Sequence, residues 1–232
     1  MSLNGHSSLS PDNVHVNGEH VLLIAAREAG AFPEPGICQD APGKSREEKI
    51  RVIAGHFREI MRTLGLDLED ESLAGTPNRV ARMYVKELFS GLDARNKPRI
   101  TLFENKFGYD QMLVEKDIRF YSTCEHHFVP IIGKAHVAYF SSGKLIGLSK
   151  MHRLVRYIAS RPQVQERLTV EIARELSGVL DTKDVAVMLE ASHLCVAARG
   201  IKDPGSRTVT SWYGGRFKRE DIKNAFISSI NR

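Results

Sequence analysis

Cys124 and His127 stand in a C-x-x-H run within STCEHHFVP, and a distant Cys195 within HLCVAARGI offers a second thiol. Two thiolates and one imidazole are soft donors of the kind zinc takes. With three protein ligands the fourth tetrahedral position stays open for water, which is the catalytic arrangement and not the closed structural one. Zinc lowers the pKa of bound water from about 15.7 to about 7, so such a site can generate a hydrolytic nucleophile near neutral pH. His126 and His193 sit beside these residues in the chain. With a reference pKa of about 6.5, they are the candidates for moving protons. Taken singly, Cys195 also reads as a buried strand residue and His127 as a hydrogen-bonding loop residue. Either of His126 and His193 also reads as a histidine that supports the metal or the core. If residues 185–199 form one strand, its period of two puts His193, Cys195 and Arg199 on a common face, and a polar constellation interrupts what would otherwise be core.

A second group of residues suits an anion. Ser149 reads as the cap of a helix whose first turn holds Lys150 and Arg153, so free backbone N–H groups and two cations converge there. A solvated basic helix end has the same composition, and the sequence contains no G-x-x-x-x-G-K-[ST] phosphate loop. Arg79, just after Thr76–Pro77, and Arg199 are further candidate phosphate donors. Gln165 and Glu166 lie in PQVQER near the start of a helix. A carboxylate there can accept both the ring N–H and the amino N–H of guanine, a donor pair adenine does not present; a solvated helical glutamate is the plainer reading.

The elements that must position these groups follow from local signals. S-R-E-E at Ser45 has capping-box spacing. Ile50, Ile53, Phe57, Ile60 and Leu64 then form one apolar stripe that Gly65 stops. Thr76–Pro77 reads as a cap and a first helical position, with Val80, Met83, Tyr84 and Leu88 along the apolar side before Gly91. IRFYSTC and KAHVAYF read as strands joined by the polar turn CEHHFVP. A helix enters through Gly147–Leu148–Ser149 and runs to Ile158. Arg161–Pro162 breaks it and starts another, with Val164, Leu168, Ile172, Leu176 and Val179 at helical spacing. VAVMLEASHLCVAAR reads as a strand with TVTSWYGG as its hairpin partner, and a further helix covers 219–230. This order predicts an α+β fold with helices on a largely antiparallel sheet. It divides into an arm over 1–44, weakly ordered around one apolar stretch at 21–29 and the run FPEPG, a helical region over 45–95, and the site-bearing domain over 96–232.

Composition narrows the class. Hydrophobic residues make up 42% and charged residues 26% of the 232, the profile of a globular protein and not of a disordered or fibrous one. The three cysteines, Cys38, Cys124 and Cys195, are odd in number and widely spaced, which excludes a disulfide scaffold and points to a reducing compartment. No run approaches about 18 apolar residues, and the N-terminus has no signal-peptide pattern, so a cytoplasmic, non-membrane protein is expected. Lys plus Arg exceed Asp plus Glu by 33 to 28. The basic residues are interspersed with acidic ones, which favours a compact anion site over a nucleic-acid track.

TPNRVARMY, STCEHHFVP, IGLSK, RPQVQERLT and HLCVAARGI occur in that order over about residues 46–230, and in this the sequence closely resembles the GTP cyclohydrolase I family. The resemblance implies the tunnelling fold and one zinc ion per chain held by Cys124, His127 and Cys195. It implies proton transfer by His126 and His193, with Ser149 at the catalytic end near the ribose. Lys150, Arg153, Arg199 and Arg79 would surround the triphosphate, and Gln165 and Glu166 would meet the guanine. The family binds GTP at subunit boundaries of a toroidal homodecamer of two pentameric rings, so Arg79 would come from a neighbouring chain. The implied reaction is hydrolytic opening of GTP at C8 by zinc-activated water and release of formate. Rearrangement then gives 7,8-dihydroneopterin triphosphate, the first step of tetrahydrofolate biosynthesis. The arm before Ser45 and the segment DPGSRTVTSWYGG, which stands where a Thr-rich form is common, depart from the family pattern. Two other functions compete: a tunnelling-fold enzyme acting on a pterin or deazapurine, which the paired CEHH and HLC runs disfavour, and a zinc-stabilised nucleotide-binding protein.

Overall fold

The computed structural model describes residues 43–231 and, before them, only the backbone pairing of β1 (His15–Val16) with β2 (Glu19–His20). The rest of the expected arm, including the stretch at 21–29 and FPEPG, lies outside the described residues.

The first helix, α1 (Arg46–Thr63), starts on the capping box that its sequence encodes. The Ser45 hydroxyl accepts the Glu48 N–H at 3.1 Å, and the Ser45 N–H donates to the Glu48 carboxylate at 2.8 Å. It stops before Gly65, which takes φ +80. Its buried side is turned from the expected stripe: Ala54 and Met61 are buried, whereas Ile60 is 49% and Leu64 71% exposed. After α2 (Glu71–Ala74) comes α3 (Thr76–Met83), whose cap is Gly75 and not Thr76. Pro77 is tolerated one position in because the first turn has unpaired N–H groups in any case. A single π-turn over Tyr84–Leu88 continues α3. Gly91 then lets the helical region close onto the rest of the chain: a Cβ there would lie 2.2 Å from the Tyr157 carbonyl oxygen.

The remaining elements are β3 (Leu102–Glu104), β4 (Leu113–Cys124), β5 (Pro130–Tyr139), β6 (Lys144–Ile146), α4 (Leu148–Ala159), β7 (Pro162–Gln163), α5 (Gln165–Leu180), β8 (Val185–His193), α6 (Leu194–Ala197), β9 (Thr208–Tyr213) and α7 (Glu220–Ile230). Strands β3 and β6 pair with each other, and the main sheet runs β7-β4-β5-β8-β9. All its neighbours are antiparallel except the two-residue β4–β7 pair. This is the expected α+β class with helices on a largely antiparallel sheet. Helices α4 and α5 cover one face, burying Leu154, Val155, Ile158, Leu168, Ile172 and Leu176 against Ile118, Phe120, Val137 and Leu189. A smaller cluster joins Phe140, Phe217 and Phe226 beneath α7. Among the described residues no helix is long and apolar enough to cross a membrane.

Three further expectations are corrected. Pro162 does not open a helix; it begins the short edge strand β7, where its missing N–H is harmless, and Val164 caps α5. Ser149 is the second residue of α4, whose cap is Gly147 in an extended conformation, so the serine is not the cap. Residues 185–199 are not one strand. Pairing between β5 and β8 ends at Ile131↔His193, next to Pro130, which has no N–H to offer, and the chain turns into α6. Period-two geometry therefore does not relate Cys195 and Arg199 to His193.

His136 on β5 sets a pH dependence for the fold. It is 7% exposed, and its Nδ1 accepts the Asp117 N–H at 3.3 Å. Burial holds its pKa below the usual value; Lys134 and Lys116 act in the same direction, and Asp117 and Glu190 oppose. The unfolded chain therefore takes up this proton first as pH falls through about 6.5, and stability is lost there. The urea midpoint followed by Trp212 fluorescence should fall between about pH 7 and about pH 5. His136→Gln, which keeps an acceptor for Asp117, should fall less. An equal fall in both proteins excludes His136 as the source.

Candidate metal centre

Cys124 ends β4, and residues 125–129 turn the chain into β5. The turn is closed by the Cys124 N–H on Val129 O (2.9 Å) and the Phe128 N–H on Cys124 O (2.8 Å). Phe128 takes φ +55, a left-handed conformation that a bulky residue adopts only under external constraint. That constraint is visible. Its ring meets Phe89 edge-on at 5.1 Å and Tyr84 at 6.3 Å, so the helical region grips the tip of the turn. From the other side, the Glu125 N–H donates to Gln163 O at 3.1 Å, and the Glu125 carboxylate receives the Arg167 guanidinium. Arg167 is itself held by Gln163 Oε1 (2.9 Å) and Pro162 O (3.1 Å). The turn is thus fastened to the β7–α5 corner.

This frame brings together ligand atoms of Cys124, His127 and Cys195, all within 4.8 Å of one another. Cys124 Sγ and His127 Nδ1 lie 3.8 Å apart. A tetrahedral ion at ordinary metal–sulfur and metal–nitrogen lengths asks for about 3.6 to 3.8 Å between ligand atoms, so the Cys124–His127 pair already fits and the widest separation must close by about 1 Å. Burial pushes the Cys195 thiol above its usual pKa, and the hydrogen bond and charge of the Cys124 thiol push the same way; Arg199 opposes them. Two adjacent sulfurs resist ionising together, and a divalent cation between them removes that conflict. The cluster can therefore hold a thiolate-preferring metal ion. His126 Nδ1 is also 3.8 Å from Cys124 Sγ, but the group that reaches both sulfurs contains His127 and not His126. The His126 side chain is 65% exposed, with Nε2 3.9 Å from the Glu125 carboxylate.

His193, the last residue of β8, is half-buried, and burial lowers its pKa against the pull of Glu166. Its Nε2 lies 2.7 Å from Gln165 Oε1. Glu166 is exposed on the first turn of α5, whereas Gln165 is buried with its amide bonded inside the protein. A direct guanine contact from Gln165 would have to displace one of those bonds. Ser149 and Arg153 are exposed and Lys150 is half-exposed, all on the first two turns of α4, and Arg199 follows α6. Arg79 turns onto its own corner, donating to Ser72 O (2.8 Å) and Thr76 Oγ1 (2.9 Å). Two clefts, of about 370 and 330 Å³, lie between α1 and α3 and beside Trp212, away from the three ligand residues.

The model of the GTP cyclohydrolase I family matches residues 53–231. This chain belongs to the GTP cyclohydrolase I family. It is 56% identical over 192 residues to the GTP cyclohydrolase 1 of Flavobacterium johnsoniae, covering 83% of this chain and 86% of that one. With the GTP cyclohydrolase 1 of Aeromonas hydrophila it shares 50% identity over 215 residues, 92% of this chain and 97% of the other. Among solved structures, the archaeosine synthase QueF-Like in the apo form aligns at a TM-score of 0.38 and 15% identity, over 45% of this chain and 93% of that chain, a likeness that has no weight for function.

For a chain of the GTP cyclohydrolase I family, the parts that sequence reasoning missed are the supports of the ligand turn. Glu125 lies in STCEHHFVP and Arg167 in RPQVQERLT, but their pairing spans 42 positions. No periodicity signals it. The left-handed Phe128 was equally hidden, because an aromatic residue is not a turn signal.

Proposed function

We propose that this chain opens the imidazole ring of GTP by zinc-dependent hydrolysis at C8, releases formate, and lets the product rearrange to 7,8-dihydroneopterin triphosphate, the first step of tetrahydrofolate biosynthesis. The observation that bears most weight is the convergence of Cys124, His127 and Cys195 within 4.8 Å in a chain of this family. One zinc ion held by these three residues would supply Lewis-acid activation of water. His193 and His126 would transfer protons to the ring nitrogen as the C8–N bond breaks and then during formate release. Ser149 would orient the ribose. Lys150, Arg153 and Arg199 would bind the triphosphate, with Arg79 reaching it from a neighbouring subunit. Glu166 would accept the paired N–H donors of guanine, and Gln165 would act at that end through His193.

A homodecamer of two pentameric rings would complete the site. His126, His127, Ser149, Arg153, Glu166 and Arg199 are all exposed in the single chain, and hydrolysis of a bound base calls for exclusion of bulk water, which a second subunit would provide. The proposed division leaves catalysis to residues 96–232 and gives 45–95 the task of gripping the turn through Phe89 and Phe128. The absence of a spanning helix among the described residues and the free Cys124 and Cys195 support a cytoplasmic location.

Zinc-loaded protein incubated with GTP should yield formate and a dihydropterin triphosphate by mass, while ATP should yield neither. Glu166→Gln should weaken GTP recognition by about 1–3 kcal/mol, the effect of leaving a donor unpaired. GTP binding without formate would overturn the activity, and unchanged discrimination between GTP and ATP would overturn the role of Glu166.

A further inference from the structure

We propose that Gln165 is the positioning residue of His193, locking its ring orientation and placing the proton of the neutral imidazole on Nε2. The inference rests on the reading above that His193 acts at the reacting base.

An amide side chain can normally be turned end for end, but here its surroundings allow one orientation. Gln165 is 1% exposed. Its Nε2 faces Thr208 O at 2.9 Å, Leu189 O at 3.3 Å and Thr210 Oγ1 at 3.1 Å. The two carbonyls can only accept, so the NH2 end must point at them. The Thr210 hydroxyl is an acceptor too, by elimination. Thr169 donates its hydrogen to Gln165 O at 2.8 Å, so the 2.7 Å contact between the two threonine hydroxyls must be donated by Thr210. A closed circuit therefore runs from the Gln165 amide to Thr210, to Thr169 and back to the Gln165 backbone. Turning the amide would set its oxygen against three acceptors in a buried site.

The consequence falls on His193. Gln165 Oε1 can only accept, and it lies 2.7 Å from His193 Nε2. Nε2 must therefore bear the hydrogen, and in the neutral ring the lone pair is left on Nδ1. Fixing which nitrogen holds the proton is what a partner on the far nitrogen does for a working histidine.

The test uses zinc-loaded protein labelled with 15N in its histidine rings. In the parent, the His193 ring should show a protonated Nε2 and an unprotonated Nδ1. Gln165→Met, close in shape but without the acceptor, should lose that signature, with Nδ1–H becoming populated. Single-turnover formate release should drop about 10–100-fold, the order of effect known for outer partners of metal-ligating histidines, while zinc content stays near that of the parent. Should Gln165→Met fail to fold, Gln165→Leu removes the same acceptor in a smaller side chain and should move the same ring signals in the same direction. A parent ring with Nδ1–H, or folded variants whose ring signals match the parent, overturns the proposal. A parent that makes no formate overturns the enzymatic reading instead, and the ring signals decide the hold of Gln165 on His193 in either case.

Discussion

Cys195→Ser should leave a folded chain that no longer keeps its metal and no longer releases formate from GTP. The substitution changes one atom at a half-buried position in α6, so packing is nearly conserved and the effect falls on coordination. A serine hydroxyl is a hard donor that stays protonated near neutral pH, whereas the thiolate is both softer and charged. Removing a direct ligand should weaken metal affinity by more than the roughly 10–100-fold that loss of an outer partner brings. With only Cys124 and His127 left of the group, the remaining pair matches many weak surface sites. Elemental analysis of zinc per chain, read together with formate yield and a thermal melt, checks the expectation. Full zinc with parental turnover in the serine variant would remove Cys195 from the site.

His193→Ala should behave in the opposite way toward the metal, retaining most of the zinc while single-turnover formate production falls by about 100- to 10,000-fold, the range for a positioned proton donor. The structure ranks the two histidines that lie outside the metal group. His193 is half-buried and held at 2.7 Å by a buried amide, whereas His126 is largely exposed and its contact with Glu125 is 3.9 Å long. A group held in one orientation loses little freedom when it transfers a proton, so the stronger ring-opening defect belongs to His193. His126→Ala should slow the later release from the opened, formylated intermediate. Mass analysis of that intermediate and of formate at matched zinc occupancy separates the two steps. If both alanine variants keep the parental rate, neither histidine transfers a rate-determining proton.

How much of this was legible in residues alone differs from element to element. The capping box at Ser45 and the β4–β5 hairpin around CEHHFVP are readable because contacts among near neighbours govern them, and β8 and β9 are readable from the β-branched pattern of each strand. Errors arose where a distant partner decided the outcome. Pro162 looked like a helix start, but it pairs with Thr123 at a sheet edge. The 185–199 segment looked like a continuous strand, since its residues favour one. It ends at His193 because β5 offers no further partner there, and β propensity does not form a strand without a neighbour.

The sequence by itself determined the chemistry on offer: two thiols and an imidazole for a soft metal ion, a basic helix start for an anion, a carboxylate for a base edge, and α+β elements in an order that the fold then followed. These depend on residue type and short spacing, which a linear string records. Tertiary structure decided the geometry. It placed Cys195 on a helical turn, fastened the ligand turn through Phe128 and Arg167, and oriented the Gln165 amide by acceptors from β8 and β9. Each of these depends on groups that only folding makes neighbours, and the direction of a hydrogen bond is fixed by what surrounds both of its ends.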